Sequence, residues 1–173
     1  MTSKAKKPYH FTAKRACYIA VMAAIVIASK EAVSALPNIE PVTLLVCLFQ
    51  VHFGIDTLYA IYIFALVEGL IYGFHPLWWI PYLYVWTILW VISHLLKKDD
   101  HPVAWASLMG MFGLVFGALC TLPYFVVGDW AGGLAYFLSG LSFDLVHCVG
   151  NFFVGLLLWK PLNVALNHVS QTY

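Results

Sequence analysis

The stretch VAWASLMGMFGLVFGALCTLPYFVV, residues 103–127, contains no charged side chain from end to end. A helix that crosses a bilayer needs about 20 consecutive, predominantly apolar residues, and this segment meets that requirement. Five further apolar segments lie around it: Leu134 to Trp159 downstream, and Trp78 to Leu95, Thr57 to Phe74, Val42 to Phe53 and Phe11 to Val33 upstream. The breaks between them carry helix-ending chemistry: Pro37 and Pro41, Gly54 with Asp56, Pro76, the polar run Lys97 to Pro102, and Gly128-Asp129 with Gly132-Gly133. In lipid every backbone N–H and C=O must be satisfied within the segment or by a closed barrel, so all six segments are expected to be helices. The expected fold is an all-α integral membrane protein, a six-transmembrane-helix bundle, with residues 1–173 forming one domain. No polar linker or repeat divides it. The whole chain is 62% hydrophobic and 10% charged, too little polar surface to be solvated in water.

The second segment is short for a span, and charge decides how it is read. With six crossings Lys4, Lys6, Lys7, Lys14, Arg15, Lys97, Lys98 and Lys160 share one face, and Lys30 alone lies on the other. The positive-inside rule makes the basic face cytoplasmic, with both termini there. With five crossings Lys97 and Lys98 would face out. The basic N-terminal segment followed by an apolar run and Val33, Ser34 and Ala35 also has the form of a signal peptide with its cleavage site. A retained first helix is the preferred reading, because more membrane-spanning sequence follows.

Several function classes are excluded. A net charge of +1 without a clustered basic face gives no reason to expect nucleic acid. Cys17, Cys47, Cys120 and Cys148 lie singly in apolar runs, which suggests neither a zinc site nor a disulfide framework. There is no Walker A sequence, HExxH or GxSxG, so no catalytic residue and no cofactor is expected, and energy coupling would have to come from partner chains. His52, His94 and His147 leave open a different class, a small electron-transfer protein with haem held between helices.

Four features are candidates for function. Ala16, Ala20, Ala24 and Ala28 recur every fourth residue and form a smooth ridge for close approach of another helix, of this chain or of a partner. Asp144, His147 and Asn151 share one face of the last segment, well inside it, and are expected to form a structural polar cluster. Glu68 lies about 9 Å below the outer end of the third segment at 1.5 Å per residue. It is expected either to contact a ligand or to pair with a buried donor, such as a Tyr, Trp or His, of a neighbouring helix. Trp78, Trp79, Tyr82, Tyr84, Trp86, Trp130 and Tyr136 crowd the outer helix ends, either as an interfacial aromatic belt or as the walls of a pocket. A pocket open to the outside would occupy the outer half of the bundle. The expected binding residues are therefore Asn38, Glu40, Glu68, Tyr72, Trp78, Trp79, Tyr82, Trp130 and Tyr136, which combine stacking surfaces with a few polar groups.

LPNIEPVTLL (36–45), EGLIYGFHPLWWIPYLYVWT (68–87) and SFDLVHCVGNF (142–152) together resemble the substrate-specific S components of energy-coupling factor (ECF) transporters. The alanine ridge is similar to the surface on which S components dock, and six helices with cytoplasmic termini is that family's architecture. The resemblance implies a multi-pass protein of the bacterial cell membrane that binds a vitamin outside and associates with an ECF transmembrane coupling subunit and two ATPase subunits. It hydrolyses nothing itself. The chain is most similar to the cobalamin-type members, and a cavity poor in charge suits a bulky amide-rich ligand. Folate is the alternative, with Lys30 as the only outer cation available to a carboxylate.

Overall fold

A computed structural model describes residues 11–36, 39–96 and 101–173; Asn38, Pro37, Lys97, Lys98 and the lysines at 4, 6 and 7 lie outside the described residues. The described residues are all-helical, without strands. Six helices follow in order: α1 Ala13–Ala32, α2 Val42–Phe53, α3 Asp56–Tyr72, α4 Pro76–Leu96, α5 Pro102–Val127 and α6 Trp130–Ser170. Of these, α4, α5 and α6 are long and apolar enough to cross a membrane. Local chemistry sets the boundaries. Thr12 caps α1 by accepting the Arg15 N–H, Pro102 opens α5 where its missing N–H costs nothing, and Asp129 caps α6 by accepting the Gly132 N–H at 2.6 Å. Gly54, at φ 56°, makes the sharp link from α2 to α3, and Gly73, at φ 85°, ends α3.

Side-chain pairs fix the helix directions. At one end Arg15 of α1 donates to Asp56 at the start of α3 at 2.8 Å, and Gln50 of α2 bonds His94 of α4 at 2.9 Å. At the same end Trp105 of α5 stacks on Trp159 of α6 at 4.1 Å. At the opposite end Lys30 of α1 meets Glu68 of α3, and Tyr124 of α5 stacks on Tyr136 of α6 at 3.8 Å. Successive helices therefore run in alternate directions. Among the described lysines and arginines Lys14, Arg15 and Lys160, next to Trp159, are at the first end and Lys30 is at the second.

The short α2 is the centre of the bundle. Leu44, Val46, Cys47, Leu48, Phe49 and Gln50 cover its whole circumference and all are buried, so twelve residues, about 18 Å long, are enclosed by the other helices. Outside it, α5 and α6 form a close pair. A Cβ at Gly113 would lie 2.8 Å from the carbonyl oxygen of His147, and Gly110 and Gly117 make the same close approach one turn to either side. Small residues on facing surfaces allow this separation.

The last helix corrects one expected boundary. It does not stop at Trp159 but continues through Pro161 to Ser170, 41 residues in all, about 61 Å at 1.5 Å per residue. That is about twice the ~30 Å hydrocarbon core. The extension is held because Leu162 and Leu166 pack on the core, and His52 of α2 lies 2.7 Å from Asn163 and 3.3 Å from Ser170. Tyr173 closes the end with edge contacts to Tyr18 and Phe53, both at 5.1 Å.

Candidate functional site

The α5–α6 hairpin is longer than the rest of the bundle, and this creates the site. From the level where Asp144 meets Gly117, α5 continues about 15 Å to Val127 and α6 about 21 Å back to Trp130, at 1.5 Å per residue. On the other side α1 ends at Ala32 and α2 begins at Val42, so Glu40, just before α2, lies beside the middle of α6. Two adjoining cavities occupy the step. The first, about 260 Å³, is walled by Lys30, Glu40, Tyr82, Trp86 and His147. The second, about 310 Å³, is walled by Gly117, Cys120, Tyr136, Phe137 and Gly140. Phe116 and Asp144 border both.

Glu40 organises the first cavity. Its carboxylate accepts the Thr43 amide at 2.9 Å and the Thr43 hydroxyl at the start of α2, where the helix dipole favours negative charge. It also accepts the Asn151 side-chain amide at 3.1 Å and lies 3.2 Å from His147 Nε2. Burial works against its charge, but the hydrogen bonds from His147 and Thr43 win and hold its carboxyl below the ordinary carboxylate value. Asp144, one turn before His147, accepts the Gly117 amide at 3.0 Å. A Cβ at Gly117 would overlap both carboxylate oxygens, so only glycine lets this side chain lie flat on α5. Phe116 then packs edge-on against His147 at 5.0 Å and against Trp86 at 5.5 Å.

The expected residues divide. Glu40 and Tyr82 line the first cavity and Tyr136 the second. Asp144 and His147 are cavity walls as well as members of a polar network, while Asn151 lies behind them, bonded to Glu40 and Thr43. Their depth was gauged along α6 alone; α6 extends so far beyond α1 and α2 that its middle is level with their ends. Glu68 is paired with a donor of a neighbouring helix, Lys30 of α1, at 2.5 Å. Tyr72 donates to Glu31 at 2.7 Å and places its ring under Lys30 at 4.2 Å.

Trp78 and Trp79 support the cavity from outside: Trp78 packs edge-on against Tyr82 at 5.6 Å, and Trp79 donates to the Ala65 carbonyl at 2.8 Å. Trp130 is 80% exposed and leans on Phe125, away from both cavities. Asn38 lies outside the described residues. On α1, Ala20, Ala24 and Ala28 are exposed and Ala16 is half-buried, so this chain leaves most of the ridge uncovered.

Sequence reasoning overlooked Phe116 and Gly117, and it set Trp86 among aromatics at the outer helix ends. The available signal was the spacing of Gly110, Gly113 and Gly117, which puts three glycines on one face of α5. The three histidines considered for haem are tied elsewhere: His52 to Asn163 and Ser170, His94 to Gln50, and His147 to Glu40. Among the described residues no group of three His, Cys, Asp or Glu side chains is arranged to hold a metal. Comparison of the chain with family models, with curated proteins and with solved structures finds no match.

Proposed function

We propose that this chain is the vitamin-binding S component of an ECF-type importer. In this reading all six helices span the membrane, both termini are cytoplasmic, and the vitamin enters the cavities from outside. Docking on a coupling subunit with two ATPases then drives release inward. The observation that carries the proposal is the pair of aromatic-walled cavities with convergent polar groups, in the half of the bundle opposite Lys14 and Arg15. A few placed polar groups in an apolar concavity are what a selective small-molecule site requires. The uncovered alanine ridge supports a helical partner on α1. The engagement of His52 through both ring nitrogens speaks against the haem alternative.

Cobalamin is the vitamin that the resemblance implies, but the geometry favours a more compact one. Cavities of about 260 and 310 Å³ fall just below and at the lower end of the ~300–1,000 Å³ that hold drug-sized ligands, and a corrinoid is larger than such ligands. The direct test is titration of the purified chain, without partners, against the water-soluble vitamins including cobalamin and folate. One vitamin is expected to bind at micromolar concentration or better. A chain that binds none and shows a haem Soret band sinks the proposal. Topology has its own check: single cysteines at Pro76 and Asp129 are expected to react with an impermeant thiol reagent in intact cells, and those at Lys97 and Ser170 to stay protected. Labelling at Lys97 overturns the six-span arrangement.

A further inference from the structure

The charges around the first cavity do not balance. The ionisable side chains that face it are Glu40, Asp144, His147, Lys30 and the phenol of Tyr82. The one lysine among them is already committed, because Lys30 Nζ lies 2.5 Å from Glu68 and 2.9 Å from Glu31 and caps the Tyr72 ring. Two carboxylates therefore share one ammonium at the rim, and the two on the walls, Glu40 and Asp144, have one imidazole, His147, between them. Glu40 is satisfied by neutral donors and an imidazole, and Asp144 by one backbone N–H. Such a cavity repels an anion and attracts a cation, in a setting where water screens the charges less than at an open surface.

A second, independent feature points to a ligand. Trp86 lines the same cavity and is 2% exposed, yet its indole Nε1 has no hydrogen-bond partner. A buried donor left unpaired is costly, and an acceptor brought by a ligand would satisfy it. The wall beside it is aromatic, formed by the rings of Phe116 and Trp86 inclined at 48°, and the shared Phe116 and Asp144 lead into the second cavity.

We infer that the site selects a small planar nitrogen heterocycle, cationic or bearing an amino group, which stacks on Phe116, donates N–H to Asp144 or Glu40 and accepts from the Trp86 indole. Vitamins whose recognition depends on a carboxylate, folate among them, are disfavoured. The inference rests on the vitamin-binding reading and narrows it to a ligand class.

The test measures dissociation constants for the full-length protein in detergent with thiamin and pyridoxamine as cationic planar heterocycles. The anionic comparison set is 4-pyridoxate, biotin, pantothenate and folate. At least one of the first set is expected to bind at least tenfold more tightly than every member of the second, since one unit charge at cavity distances is worth about a factor of ten or more. Asp144→Asn is expected to weaken that ligand by about tenfold. Ser34 lines the same cavity and is exposed, so Ser34→Lys adds a cation at the mouth without disturbing the packed network. It is expected to weaken the cationic ligand about as much and to narrow its advantage over 4-pyridoxate. A carboxylate vitamin that binds most tightly overturns the inference and leaves the vitamin-binding reading standing. A cation preference that survives both substitutions also overturns it. Failure of every vitamin, cobalamin included, removes the reading and the inference together.

Discussion

Leucine in place of Ala20 or Ala24 is expected to abolish vitamin uptake by cells while leaving vitamin affinity of the isolated chain within about twofold, as for an exposed change far from the site. Helices pack with axes 8–10 Å apart, and the closest approaches need small residues at the crossing. On α1 the buried side is formed by Ile19, Met22, Ala23 and Val26, while Ala20 and Ala24 point the other way, between exposed Val21 and Ile25. An isobutyl group there meets nothing of this chain, so folding and the cavities at the far end of α1 are unaffected. It would hold a docking helix away by the width of the added side chain and forfeit the close contacts along the ridge. The measurement is uptake of labelled vitamin beside a dissociation constant for the same variant in detergent, with recovery of the coupling subunit by affinity purification as a third readout. Normal uptake by both variants would mean that the ridge faces lipid rather than a partner.

How much of this was legible in the sequence depends on which physical signal each feature leaves. Helix positions are set by hydrophobic runs and by Gly, Pro and Asp at their ends, and the segments read from those runs match five of the six helices closely. The sixth overran because Lys160-Pro161 looks like a terminus. What holds α6 beyond it, from Leu162 to Tyr173, is tertiary contact with α1 and α2, and a local pattern does not record that. The same cause explains the reading of Asp144 and His147. Their shared face was plain from the spacing, but depth depends on the relative lengths of α6 and α1, and only the fold reveals that the middle of one is level with the end of the other.

The cavity walls show the same limit. Glu40 and Tyr82 were reachable from sequence because polar and aromatic residues near outer loops are conspicuous. Phe116 was not, because in a segment as apolar as 103–127 one phenylalanine looks like any other. Gly117 left a trace only as the last of three spaced glycines. Partnerships across long separations leave no trace at all, and the pairing of Lys30 with Glu68 is of that kind.

That pair carries the second large expected effect. Glu68 is 1% exposed, one of its oxygens has no partner, and the other is held by Lys30. Removing the ammonium leaves a carboxylate buried with nothing to compensate it. Breaking a buried ion pair from one side costs about 3–5 kcal/mol, and the partial exposure of Lys30, 21% of its side chain, puts Lys30→Met toward the low end, about 3 kcal/mol. Glu68→Gln is expected to cost less, because the ammonium keeps Glu31 and the Tyr72 ring as partners. The double variant Lys30→Met/Glu68→Gln is then expected to be more stable than Lys30→Met alone, since the orphaned charge is gone, and the cycle gives the coupling directly. Thermal unfolding of the four proteins in the same detergent measures it. If Lys30→Met melts no lower than the double variant, the two side chains are not energetically coupled. Lys30 would then be a free cation at the cavity rim, and the charge balance that favours a cationic ligand would have to be redrawn.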